Sequence, residues 1–222
     1  MTHYTWHFEA VWENLPLLLQ GLWDTCLLAP LAMAVGLVVG LGVALLRLSG
    51  VWGLSAIATG FTELFRTTPL LVQVIWVYTV LPLLTGIALS PFVSGLVALG
   101  LNVAAFMAEI YRTGITSIDY SQKQGALALG MTRAQAMRRI ILPQAVRRMI
   151  PPMTAMWVAL FKDTSILATI GVVELMYQAR VVASDTFRPL EVFTAVGIIY
   201  FLLTYPQALL VNWIYDRLRV HS

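Results

Sequence analysis

The stretch SQKQGALALGMTRAQAMRRIILP, Ser121 to Pro143, is basic, rich in helix formers, and set between apolar segments long enough to cross a bilayer. Such a stretch cannot dissolve in hydrocarbon, where every charge and every unpaired backbone group is costly. It is also too long for a tight connection. It marks a face presented on one side of a membrane and reads as a surface offered to a second protein.

The flanking chain fixes that setting. Of 222 residues, 59% are hydrophobic and 11% charged, against roughly 25% charged in a soluble domain. A core of this size could not hide so much apolar surface, so lipid is the expected solvent. Crossing a hydrocarbon layer roughly 30 Å thick takes about 20 apolar residues. Five segments qualify. Thr25 to Leu46 carries no charge. The uncharged run Thr67 to Ala108 is broken by Pro82, Gly86, Ser90 and Pro91 into spans near 67–87 and 91–111. A fourth covers about 149–173 and a fifth about 192–215, with Tyr205 and Trp213 suited to an interface. Backbone groups in lipid must pair internally, which makes these segments helices. The expected fold is an all-α membrane protein with about five transmembrane helices. It forms one transmembrane domain over residues 1–222: an external segment 1–20, a helical core 21–215, and an inner loop 113–148. The segment Gly50 to Arg66 is either an interfacial helix or an inner extension of the second span.

Lys and Arg placement orients the chain. With the N-terminus outside, the inner side holds Arg47, Arg66, Arg112, Lys123, Arg133, Arg138, Arg139, Arg147, Arg148, Arg217 and Arg219, and the outer side only Arg180 and Arg188. The predicted topology is N-out, C-in. Basic residues confined to span ends argue against a nucleic-acid partner. No base precedes the first apolar run, so no cleavable signal peptide is expected. The single cysteine, Cys26, excludes an intrachain disulfide. His3 and His7 read as solvated residues and no metal site is expected; Trp6, Trp12 and Trp23 read as interface anchors.

Within the inner loop, Ser121 with Gln124 and Thr132 with Gln135 each fit a capping box. Gly130 supplies a left-handed stop, and Pro143 is expected to end the second helix near Leu142. The prediction is helix, glycine elbow, helix. Gly125, Ala126, Ala128 and Gly130 would let another backbone approach closely, while Arg133, Arg138 and Arg139 could meet acids. A hairpin packed on its own bundle would use the same residues.

Gln124, Gly125, Ala126, then Gly130, then Ile140, Leu142 and Pro143 resemble the EAA loop of ABC importer membrane subunits, with Gln124 and Gly125 replacing the usual Glu and Ala. TELFRTTPLLVQ (Thr62 to Gln73), AEIYRTGITSI (Ala108 to Ile118) and FKDTSILATIGVVEL (Phe161 to Leu175) resemble the polar amino-acid branch of that family. ALALGM followed by IILPQA is similar to its glutamate/aspartate importers. The resemblance implies a type I ABC importer transmembrane-domain fold in a bacterial inner membrane. It also implies a loop that couples to a cytoplasmic ATPase dimer through Gln124, Gly125, Ala126, Gly130, Arg133, Ile140, Leu142 and Pro143. The further partners it implies are a second permease subunit, identical or homologous, and an extracytoplasmic solute-binding protein. No GxxxxGK[ST] phosphate loop is present, so ATP and Mg would be bound by the ATPase, and the chain would be a permease rather than an enzyme, without a cofactor of its own.

Polar groups at bilayer depth are site candidates. Lys162 and Asp163, with Thr164 and Ser165, read either as a substrate pathway or as partner charges between helices. Asp163 is the stronger pathway candidate, because Thr164 and Ser165 could hydrogen-bond around it. Asn102 and Gln73 join the candidate pathway, though interhelical hydrogen bonding is the reading their place in apolar spans favours. Glu109 and Arg112, like Glu63 and Arg66, are spaced for i, i+3 ion pairs. Two other classes fit the same residues: an ion-coupled secondary transporter or channel, and a non-transporting membrane scaffold.

Overall fold

The computed structural model describes residues 4–218, and the side chains of 4–215; His3 and Arg219 lie outside the described residues. The chain runs α1 (Glu9–Glu13), α2 (Leu15–Leu48), α3 (Trp52–Thr67), α4 (Leu70–Ile75), a π turn (Trp76–Val80), α5 (Leu81–Thr85), α6 (Pro91–Thr116), α7 (Tyr120–Ala128), α8 (Arg133–Ala136), a second π turn (Met137–Ile141), α9 (Leu142–Asp163), a 3-10 segment (Thr164–Ile170), α10 (Leu175–Thr186) and α11 (Pro189–Leu218). No strand occurs among the described residues. Four helical stretches, Leu15–Leu48, Pro91–Thr116, Arg133–Ile170 and Pro189–Tyr215, are long and apolar enough to cross a membrane. The pair Trp52–Thr67 and Leu70–Thr85, bent by 109°, makes a fifth if counted as one span.

Several boundaries depart from expectation. The first long helix starts at Leu15, not Thr25, and Glu9–Glu13 is already helical. Residues 15–23 are apolar apart from Gln20, and Asp24 is a single acid on a continuous helix. At 34 residues, α2 is about 51 Å long at 1.5 Å per residue, well beyond one hydrocarbon layer. The segment Gly50 to Arg66 does not extend the second span coaxially. Thr68 and Pro69 are extended, with ψ of 144° and 134°, and the chain turns there. Pro69 explains the break, because its ring excludes the preceding residue from helical geometry.

Pro143 does not end its helix: α8 continues through the second π turn into α9. Both π turns stop two residues before a proline, Val80 before Pro82 and Ile141 before Pro143. A helical proline has no N–H for the carbonyl four residues back, and its ring crowds that carbonyl. The wider turn relieves the clash without stopping the helix. The fourth span also changes form, as α9 passes into a 3-10 segment at Thr164. Helix α10 was not anticipated. Its first turn is capped by the Glu174 side chain, which accepts from the Tyr177 N–H at 2.7 Å.

The chain forms two compact units. In the first (Met1–Met33, Pro69–Gly100, Val158–Gln207), a core of Val11, Leu18, Leu175, Val182, Val192 and Val196 joins α1, α2, α10 and α11. The link before α10 is pinned there, because the Leu175 N–H donates to Thr25 Oγ1 at 3.3 Å and the Tyr200 hydroxyl to Glu174 Oε2 at 3.0 Å. In the second (Ala34–Thr68, Leu101–Trp157, Ala208–Ser222), α2 and α6 meet backbone to backbone. A Cβ on Gly36 would lie 2.3 Å from Val103 Cγ1, and one on Gly40 would lie 2.7 Å from the Ala104 carbonyl oxygen. Gly36 and Gly40 form a GxxxG pair, the spacing that lets helices pack closely in lipid.

Candidate functional site

The inner loop is built by local capping. Helix α7 begins at Asp119, whose side chain accepts from the Ser121 N–H at 2.9 Å; the expected Ser121–Gln124 capping box does not form. Asp119 comes first in the chain and its carboxylate outcompetes a hydroxyl for the free amides. The Ser121 N–H, with the Ser121 side chain, holds its carboxyl below the usual range. The Gln124 amide instead reaches the Tyr120 hydroxyl. Helix α7 ends in a full Schellman motif: Gly130 N–H to Leu127 O at 3.0 Å, Met131 N–H to Ala126 O at 3.1 Å, and Gly130 at φ 78°. The Thr132–Gln135 capping box is present in both directions, at 3.2 and 2.9 Å.

This hairpin has two faces. Ala126, Ala136, Ile141, Ala145 and Met149 are buried. Gln124, Gly125, Gly130, Arg133, Leu142 and Pro143 are exposed, Ile140 is half-buried, and Leu129 is 80% exposed. Ala126, expected among the coupling residues, is only 2% exposed, less than its neighbours Gly125 and Ala128. An open cavity on the hairpin is lined by Ser121, Gln122, Gly125, Ala126, Ala128, Leu129 and Ile140. A side chain on Gly125 would meet nothing within 4 Å.

The second polar centre surrounds Glu109. The Gly36–Gly40 contact brings α2 against α6, and Arg47, two turns further along α2, reaches Glu109 Oε2 at 2.6 Å. Arg112 engages both carboxylate oxygens, Nη2 to Oε1 at 2.5 Å and Nε to Oε2 at 3.2 Å. Arg66 stands 3.8 Å from Glu109 and 3.8 Å from Glu63, over the Phe106 ring at 5.7 Å. Both expected i, i+3 pairs are present. The spacing gave no sign that Arg47 and Arg66 would join them; the GxxxG pair was the available signal. Asn102 lies two turns back along α6 from Glu109, and its Nδ2 donates to the Phe65 carbonyl at 3.1 Å. That carbonyl would ordinarily bond the N–H of residue 69, which Pro69 lacks. Asn102 thus takes the interhelical role, and Gln73 is likewise a buried polar group.

The third centre is the α9–3-10 junction. Lys162 is exposed, Asp163 half-buried and Thr164 fully buried. The Thr164 hydroxyl donates to Phe161 O at 2.8 Å and the Ser165 hydroxyl to Lys162 O at 2.6 Å. Neither turns to Asp163 as expected; in a 3-10 turn the nearest free acceptors are carbonyls three residues back. Asp163 makes no hydrogen bond and no ion pair within 4 Å among the described residues. Two buried carboxylates escaped the sequence reading. Glu174 caps α10, and Glu191 accepts from the Tyr4 hydroxyl at 2.7 Å and the His7 backbone N–H at 3.0 Å. Arg188 stands 3.9 Å from Glu191 at i, i+3, a spacing the sequence does show; the side-chain partners Tyr4 of Glu191 and Tyr200 of Glu174 are more than twenty residues away.

Residues 36–220 match the family described as binding-protein-dependent transport system inner membrane component. The chain is 35% identical over 214 residues to the glutamine transport system permease protein GlnP of Escherichia coli (strain K12), covering 96% of this chain and 98% of that protein. It is 36% identical over 210 residues to the probable glutamine ABC transporter permease protein GlnM of Bacillus subtilis (strain 168), covering 95% and 97%. It is 33% identical over 221 residues to the glutamate/aspartate import permease protein GltK of Escherichia coli O6:H1, covering 96% and 99%. Among solved structures, a chain in the crystal structure of an amino acid ABC transporter with histidines matches with a TM-score of 0.91 at 34% identity, over 96% of this chain and all of the other. An inward-facing MetNI methionine ABC transporter shares the fold, with a TM-score of 0.71 at 19% identity, over 91% and 98%.

Proposed function

This chain belongs to the binding-protein-dependent transport inner membrane component family, as a permease subunit with the type I ABC importer fold, and from that premise we propose that it carries a polar amino acid inward on energy supplied by a separate ATPase. Its relatives are named for glutamine, for glutamate and aspartate, and for arginine, so the support is for polar amino acids as a class rather than for acidic ones alone. The working assembly is two permease subunits, two ATPase subunits that bind ATP and Mg, and an extracytoplasmic solute-binding protein. The charge bias of the loops supports an outer N-terminus and a cytoplasmic C-terminus.

The observation that carries this reading is the two-faced hairpin. Ala136, Ile141 and Ala145 are buried, while Gly125, Ala128, Leu129 and Gly130 stand open beside Arg133. Closure of the ATPase dimer would push this face and rock the helices outward. ATP can bias that motion only by making different contacts in the two states. Asp163 is the group we assign to the pathway, supported by its half-buried position without a partner.

Gly125→Trp tests the docking, because a Cβ there meets nothing within 4 Å and the backbone needs no left-handed conformation. Gly130→Trp would also strain a left-handed backbone. In proteoliposomes holding the full complex, Gly125→Trp is expected to abolish ATP-driven uptake while assembly in the membrane stays normal. Undiminished uptake would remove the hairpin from coupling. Uptake under an ion gradient without ATP would favour a secondary transporter.

A further inference from the structure

We propose that Tyr200 is a positioning residue for the transport path: with Glu174 it clamps the 3-10 segment Thr164–Ile170 and so fixes the direction in which Asp163 is held; this rests on reading Asp163 as a pathway group. Glu174 is fully buried, and both its oxygens are taken. Oε1 accepts from the Tyr177 N–H at 2.7 Å and Oε2 from the Tyr200 hydroxyl at 3.0 Å. The Thr25 and Thr164 hydroxyls, both on fully buried residues, lie beside the same phenol oxygen. Thr25 also accepts from the Leu175 N–H at 3.3 Å and donates to the Gly21 carbonyl at 3.1 Å. A Cβ on Gly21 would stand 2.8 Å from the Glu174 carbonyl oxygen, so α2 leaves this link no slack. Thr164 opens the 3-10 segment, and Glu174 lies four residues past its end. One hydroxyl thus reaches both sides of the segment.

The segment needs such an outside hold. A 3-10 run seldom exceeds three or four residues, because its hydrogen bonds are poorly aligned; this one has seven. Leu167 seats its middle against α6, where a Cβ on Gly95 would lie 2.8 Å from Leu167 Cδ1. Its far end is closed by Val172 N–H to Leu167 O at 3.2 Å and Glu174 N–H to Val172 O at 2.9 Å. Relaxing the run to α-helix would turn one end against the other by about 140° and shorten it by about 3.5 Å. With the Glu174 end held, that displacement falls on Asp163, which directly precedes Thr164.

The test is the rate at which a water-soluble methanethiosulfonate reagent labels Asp163→Cys in the complete transporter, with Cys26→Ser in the background. Tyr200→Phe removes one hydroxyl and keeps the ring. It should raise that rate about tenfold, the scale of one hydrogen bond to a carboxylate, and leave the rate at Trp12→Cys on exposed α1 unchanged. Glu174→Gln, which keeps an acceptor for Tyr200, should raise it less, and carries the test if Tyr200→Phe does not assemble. An unchanged rate at position 163 overturns the clamp. So does an equal rise at Trp12→Cys, which would mean a general loosening of the fold. In ATP-driven uptake, Tyr200→Phe should slow the otherwise unaltered transporter about tenfold but add less than about twofold to the loss in Asp163→Asn. The same tenfold loss in both backgrounds overturns the proposal. If labelling at position 163 shifts while Asp163→Asn takes up solute normally, the clamp stands and the pathway reading alone falls.

Discussion

Glu109 and Asp163 are both acids in apolar helices, and the protein treats them in opposite ways. Glu109 is ringed by Arg47, Arg66 and Arg112. Asp163 has only the flanking Lys162 as a nearby charge, and the hydroxyls next to it are engaged with backbone carbonyls. An acid that is surrounded cannot meet a passing solute without breaking its own packing. An acid left half-buried and unpaired is costly to the fold, and its persistence needs a different reason. The difference separates charge used to fasten helices from charge available to a cargo.

Breaking the fastened acid should have the largest effect. Glu109→Ala leaves Arg47 and Arg112 facing each other without a counter-ion, and should cost about 3 kcal/mol, read as a lower thermal midpoint in detergent and a smaller yield of assembled transporter. If the midpoint is unchanged, Glu109 is not a fastener. Asn102→Leu should come next, at about 1 kcal/mol, because the hydrogen bond from Asn102 Nδ2 to the Phe65 carbonyl is lost; an unchanged midpoint would show that this bond does not fasten the helices. Asp163→Asn should leave the midpoint nearly where it was and change the uptake rate; a large loss of stability with normal uptake by the surviving protein would reverse the comparison. The smallest effect is expected at Asp119. Its carboxyl sits below its ordinary range through the Ser121 amide, so its capping is complete above the unfolded value and fades as pH falls through the lower folded one. Amide exchange in α7 should quicken over that acid window in wild type and be fast at all pH in Asp119→Ala.

The inner loop was legible almost in full because its determinants are local. Gly130, Thr132 and Gln135 act on backbone groups within a few residues, so spacing alone carries the hairpin. The same locality misled at Ser121, where the stronger acceptor stood two residues earlier, and at Pro143, where a π turn absorbed a ring that ordinarily ends a helix. Arg47 joins Glu109 across 62 positions, and Glu174 meets Tyr200 and α2 through the packing of separate helices; no periodicity records such meetings. Ala126 shows the limit from the other side, since a small residue invites close approach but does not say whose backbone approaches.

Composition and the breaks between apolar runs determined that the chain is a helical membrane protein with a basic hairpin on one face, because transfer from water to lipid and capping of helix ends depend on nearby residues. The tertiary structure decided which charges are spent and which are left over. The contact of Gly36 and Gly40 with α6 sets the separation between α2 and α6, and ion pairs depend on that separation within a few tenths of an ångström.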